Sequence, residues 1–95
     1  MAFKTARVVV GTTATPLTGT DAYDYKGGDA YDSSIELSNY SASIYVGGSD
    51  VTTANGRLLV PTKEATWAVG VKNGETLHAV VASGTVTVTT FRTNV

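Results

Sequence analysis

The chain carries one histidine, His78, and no cysteine. A catalytic histidine needs a nucleophile to activate and a carboxylate to orient it. Glu75 is close in sequence, but nothing around it specifies a triad. In the alternating run around it, His78 falls opposite Leu77 and Ala79, which reads as a surface or interface histidine. Four aspartates, Asp21, Asp24, Asp29 and Asp32, occupy one stretch, residues 19–32. Several carboxylates in one loop could collect around Ca²⁺. Their spacing lacks the alternate acidic positions and closing Glu of an EF-hand, so the reading is a solvated acidic loop with no metal assigned. Tyr23, Tyr25 and Tyr31 share that stretch. Tyrosines on a polar loop offer large contact area at low entropy cost, to a protein or a sugar, or they fold back over a sheet. Gly47-Gly48-Ser49-Asp50 is glycine-rich, but no helix pattern follows, and phosphate cradles end at a helix N-terminus. No Gly-x-Ser-x-Gly, His-Glu-x-x-His or P-loop is present, so neither an enzyme nor a cofactor is expected.

The elements that must position these residues read as strands. Thr occurs sixteen times and Val thirteen, with ten Gly and no Gln. β-branched residues suit pleated surfaces, and glycines supply the turns. Two-residue alternation sets Val8 with Val10, Ile35 with Leu37, and Ile44 with Val46. It also groups Trp67 with Val69 and Val71, Leu77 with Ala79 and Val81, and Val86 with Val88. Residues 57–60 form a further short strand, with Leu58 and Val60 assigned inward. The expected core is therefore Val8, Val10, Ile35, Leu37, Ile44, Val46, Leu58, Val60, Trp67, Val69, Leu77, Ala79, Val81, Val86 and Val88. Pro16 assigns residues 13–18 to an edge or a bend. Asn55-Gly56 and Asn73-Gly74 read as hairpin turns, and Ser83-Gly84 as a further turn. Residues 50–55 read as a polar excursion. Seven or eight short strands at this spacing predict an all-β fold, a small antiparallel β-sandwich or barrel.

Length and charge bound the function. Ninety-five residues make one domain, 1–95, with one modest core. The net charge is −1, and the seven basic residues are scattered singly. That pattern disfavours nucleic acid, which calls for a basic stripe. No long apolar run suggests a secretory signal or a membrane span. The acidic charge is concentrated: residues 20–50 carry Asp21, Asp24, Asp29, Asp32, Glu36 and Asp50 against Lys26.

Three stretches carry a family resemblance. They are Ala-Arg-Val-Val-Val-Gly-Thr-Thr-Ala-Thr-Pro-Leu at 6–17 and Ile-Tyr-Val-Gly-Gly-Ser-Asp-Val-Thr at 44–52 with Asn-Gly-Arg-Leu-Leu-Val-Pro at 55–61. The third is Gly-Glu-Thr-Leu-His-Ala-Val-Val-Ala-Ser-Gly-Thr-Val-Thr-Val at 74–88. Together they resemble small all-β proteins of tailed-bacteriophage particles: capsid decoration proteins, head fibres and small tail modules. The chain departs from that pattern in residues 19–32, which are longer and richer in Asp and Tyr, and in Tyr40-Ser41-Ala42-Ser43.

The resemblance implies a structural virion protein that binds the outside of the capsid and stabilises it, assembled in the host cytoplasm. The alternative it leaves is a tail or fibre-base module, with carbohydrate as a candidate ligand. The implied partners are the major capsid protein and further copies of the chain, as a trimer, without nucleic acid or membrane. Asp21, Tyr23, Asp24, Tyr25, Asp29, Tyr31 and Asp32 are the expected contact loop. Residues 1–5, with Phe3 and Lys4, are the expected arm ahead of the first strand.

Overall fold

The computed structural model describes residues 3–17, 33–71 and 76–93 of the chain. Eight strands follow in order: β1 Phe3–Val10, β2 Thr15–Pro16, β3 Ser33–Ser38, β4 Ile44–Gly47, β5 Arg57–Leu59, β6 Thr66–Val71, β7 His78–Val80 and β8 Val86–Thr93. They make two four-stranded antiparallel sheets, ordered β1-β8-β3-β6 and β2-β7-β4-β5. The all-β sandwich expected from alternation is the observed fold. No helix among the described residues is long and apolar enough to cross a membrane.

The core lies between the sheets. Val8 and Val10 of β1, Ile35 and Leu37 of β3, and Val86 and Val88 of β8 face Ile44 and Val46 of β4, Leu59 of β5 and Ala79 of β7. Each set follows the period of two, which sends alternate side chains to one face. In β8 the alternation runs two positions further than the sequence suggests. Thr90 and Arg92 continue the inward face and are both buried. The Thr90 hydroxyl donates to the Ala6 carbonyl at 3.4 Å, which makes a buried polar side chain tolerable.

Three expectations change. Leu58 is 47% exposed and Leu59 is fully buried, so β5 has the opposite parity to the one assigned. The reason is register: Tyr45 pairs with Leu58 on the outer face, while Ile44 pairs with Leu59 on the inner one. Val60 follows β5 as a half-buried residue, and Trp67, Val69 and Leu77 are partly buried and packed on the rim of the core. They sit there because β6 is an edge strand and Leu77 precedes β7. Phe3, Lys4 and Thr5 are the first residues of β1, paired with Thr93, Arg92 and Phe91, instead of an arm ahead of it. Met1 and Ala2 lie outside the described residues.

The turns also differ from their sequence signals. Asn73-Gly74 lies outside the described residues, and the strands flanking it, β6 and β7, belong to different sheets and form no hairpin. Asn55-Gly56 closes a longer β4–β5 connection. There the Asn55 side-chain oxygen accepts from Thr52 N–H at 2.7 Å, and Gly56 N–H donates to the Thr52 carbonyl at 2.9 Å. Gly56 is needed for space: a Cβ there would stand 2.7 Å from Tyr45 Cβ and 2.8 Å from Val51 Cγ2. Gly47 leaves room for the same side chain, with a Cβ 2.9 Å from Val51 Cγ2. Val51, inside the stretch read as a polar excursion, is thus a buried anchor between two glycines. Gly84, with φ of 68°, supplies the left-handed turn expected at Ser83-Gly84.

Candidate functional site

One pole of the sandwich gathers the points from which the expected contact residues leave. Phe3 opens β1 there, opposite Thr93. Leu17, the last described residue before the Asp- and Tyr-rich stretch, donates its N–H to the Leu77 carbonyl at 2.8 Å. Ser33, the first described residue after that stretch, pairs with Val71. Val71 and Leu77 line a common groove with Gly47, Gly48, Val69, Gly70 and Thr76, of 220 Å³. The groove joins the two sheets at this pole, because its lining comes from β6 in one sheet and from Gly47 of β4 in the other. Asp21, Tyr23, Asp24, Tyr25, Asp29, Tyr31 and Asp32 themselves lie outside the described residues. Phe3 and Lys4 are in β1, with Lys4 in register with Arg92 and Arg92 in register with Ile35. The topology therefore brings Leu17 and Ser33, the described residues on either side of that stretch, to the pole where β1 begins.

Arg92 is a residue of this pole that sequence reasoning missed. It is 4% exposed, on the inner face of its sheet. A guanidinium this deep is costly to desolvate and depends on compensating contacts. The signal was available in the Val86, Val88, Thr90, Arg92 alternation, hidden because the last two members are polar.

His78 lies on the outer face of its sheet, in register with Pro16 and Gly47, and is half-buried. Its Nδ1 is 3.1 Å from the Thr76 carbonyl, which assigns the ring N–H to Nδ1. The imidazole thus pins the approach to β7. Among the described residues no group of three His, Cys, Asp or Glu side chains is placed to hold a metal ion.

Trp67 carries the Arg57 guanidinium 5.7 Å from its ring centroid and packs against the core. Since β5 and β6 are the edges on the same side of the two sheets, this cation–π contact closes that side of the sandwich. A second cleft, of 410 Å³, lies between residues 12–14, 51–53 and 80–82. Its floor is Val80 and Val51, both buried and both outside the main core cluster. They form a small apolar patch where the β4–β5 connection covers the outer face of β7.

No family model, curated protein or solved structure matches the chain.

Proposed function

We propose that the protein is a structural component of a tailed-bacteriophage particle, a capsid decoration protein that docks pole-first on the outer capsid surface. The observation that carries the reading is the convergence of Phe3, Leu17 and Ser33 at one pole. A segment whose two ends are fixed samples fewer conformations than a free tail, which lowers the ordering cost of docking. The aspartates of residues 19–32 steer the loop to a basic patch, and the tyrosines supply buried area. The resemblance of residues 6–17, 44–52, 55–61 and 74–88 supplies the virion context. Of the rings that a carbohydrate-binding tail module would stack on sugar, Trp67 and the tyrosines of residues 19–32, Trp67 is engaged by Arg57 and the core, which favours decoration.

Two measurements test the reading. Copy number in purified particles should be comparable to that of the major capsid protein; a small fraction of it would point to the tail. Replacing Asp21, Asp24, Asp29 and Asp32 with Asn should weaken capsid binding at low salt. The difference should shrink as the screening length falls to about 3 Å near 1 M salt. Equal binding by both proteins at every salt concentration would remove the docking role of the loop.

A further inference from the structure

Four strands form the sheet edges: β1 and β6 in one sheet, β2 and β5 in the other. An open edge presents N–H and C=O groups to any extended chain, and proteins shield edges by shortness, charged side chains, proline, bulges or cover. β2 has two residues, one of them Pro16, and β5 has three. β6 has Arg57 from the facing edge over its Trp67. Among the described residues β1 has no proline, no bulge and no cover, and Lys4 and Arg7 are its two charges. It runs for eight residues, Phe3–Val10, with no glycine and unbroken register against β8. On its outer face stands Val9, 59% exposed, the most exposed large apolar side chain among the described residues.

We infer that β1 pairs antiparallel with β1 of a second copy of the chain about a two-fold axis at Val8, joining two four-stranded sheets into one. The choice of occupant rests on self-complementarity. An axis at Val8 sets Arg7 opposite Val9 of the partner subunit, and Val9 opposite Arg7 of the partner subunit. Arg7 and Val9 share the outer face, in register with Thr89 and Thr87. The aliphatic stem of Arg7 covers the exposed valine while its guanidinium stays in water. An axis at Arg7 would set two guanidiniums against each other, which is destabilising. An axis at Ala6 would pair Lys4 with Val8 of the partner subunit, which is buried within its own sheet. The register at Val8 avoids both. It also lets Val8, buried in one protomer, continue the inner face across the junction. The contact is isologous and yields a dimer, in place of the trimer that the family resemblance implies. It uses the edge and not the pole, so it stands or falls independently of capsid docking.

Sedimentation equilibrium of the full chain across roughly 1–500 µM tests the contact, since a small interface of this kind sits at the weak end of the affinity range. A concentration-dependent monomer–dimer equilibrium is expected; a monomer throughout, or a trimer, overturns the inference. Val9→Lys, at an exposed position, should keep the circular dichroism of the wild type and weaken the dimer by roughly tenfold or more through like charges facing Arg7. Combining it with Arg7→Glu should restore the dimer, because each facing pair becomes opposite in charge. Wild-type association by Val9→Lys overturns the β1 contact, and a folded but monomeric double variant overturns the Val8 register. Amide exchange on the unmodified chain gives an independent reading. Residues 5–11 should gain protection between the lowest and highest concentrations, and unchanged protection there also overturns the contact.

Discussion

The Tyr40 hydroxyl donates a hydrogen bond to the main-chain carbonyl of Glu64. The same Glu64 accepts at its carboxylate from Val60 N–H at 2.9 Å, and its own N–H donates to the Val60 carbonyl at 2.7 Å. One residue thus shapes the turn between β5 and β6 and, through Tyr40, ties it to the connection between β3 and β4. Those connections each cross or run between sheets, so the tie holds the far pole of the sandwich in place.

Tyr40→Phe should therefore destabilise the fold beyond the loss of one surface bond. The ring still fills its buried site, but the Glu64 carbonyl loses its partner, which costs about 1–3 kcal/mol. Urea unfolding should show a lower midpoint with an unchanged slope.

The pH dependence follows from the same residue. Burial, and then the neighbouring Glu64 carboxylate, push the Tyr40 phenol above its ordinary range. The unfolded chain then loses this proton first, near pH 10. Stability from Tyr40 is full below that pH and falls as pH rises through the folded-state value. The stability difference between wild type and Tyr40→Phe, measured from neutral to alkaline pH, should narrow only above about pH 10. A constant difference would show that Tyr40 ionises alike in both states.

The parity of β5 is tested by two neighbouring leucines. Leu59→Ala should cost about 2–5 kcal/mol as a core truncation. Leu58→Ala should stay within roughly 0.5 kcal/mol, as surface substitutions do. Thermal or urea unfolding of the pair reverses this order if Leu58 is the inward residue.

The difference between these leucines also marks where the sequence was legible. Ile35 and Leu37, Ile44 and Val46, and Val86 and Val88 are flanked by polar residues, so alternation alone assigned their face. Arg57-Leu58-Leu59-Val60 has three apolar residues in a row, and only pairing with β4 chooses between them. Val51 was hidden because its burial depends on two glycines, one before and one after it in sequence, that make space around it. The candidate pole was half legible. The Asp and Tyr residues stand out by composition, but the meeting of Leu17 with Leu77 and of Ser33 with Val71 is non-local and leaves no local trace.

Glycines separate close packing from backbone freedom. Gly56→Ala should cost about 1–3 kcal/mol, because its Cβ would overlap Tyr45 and Val51 and something must shift. Gly11→Ala meets nothing within 4 Å at an ordinary φ. It should be neutral or stabilising by about 0.4–1 kcal/mol through the unfolded state. Equal melting temperatures for the two variants would contradict the packing around Val51.

Trp67 sits on the rim, so Trp67→Ala should cost about 2 kcal/mol, below the 3–5 kcal/mol of a fully buried aromatic. Arg57→Ala should cost about 0.5–1 kcal/mol by removing the cation–π contact. A double-mutant cycle between them should show a coupling of similar size; additivity would mean that Arg57 does not lie on the ring.

The ladder that joins β1 to β8 pairs Phe3 with Thr93 and Val10 with Val86. During synthesis β1 leaves the ribosome long before its partner exists, and it waits with its apolar face exposed until β8 emerges. Such long-range pairing delays closure of the sheet and slows folding. In the cell, the interval before β8 arrives is when this chain is most open to aggregation and to capture by chaperones.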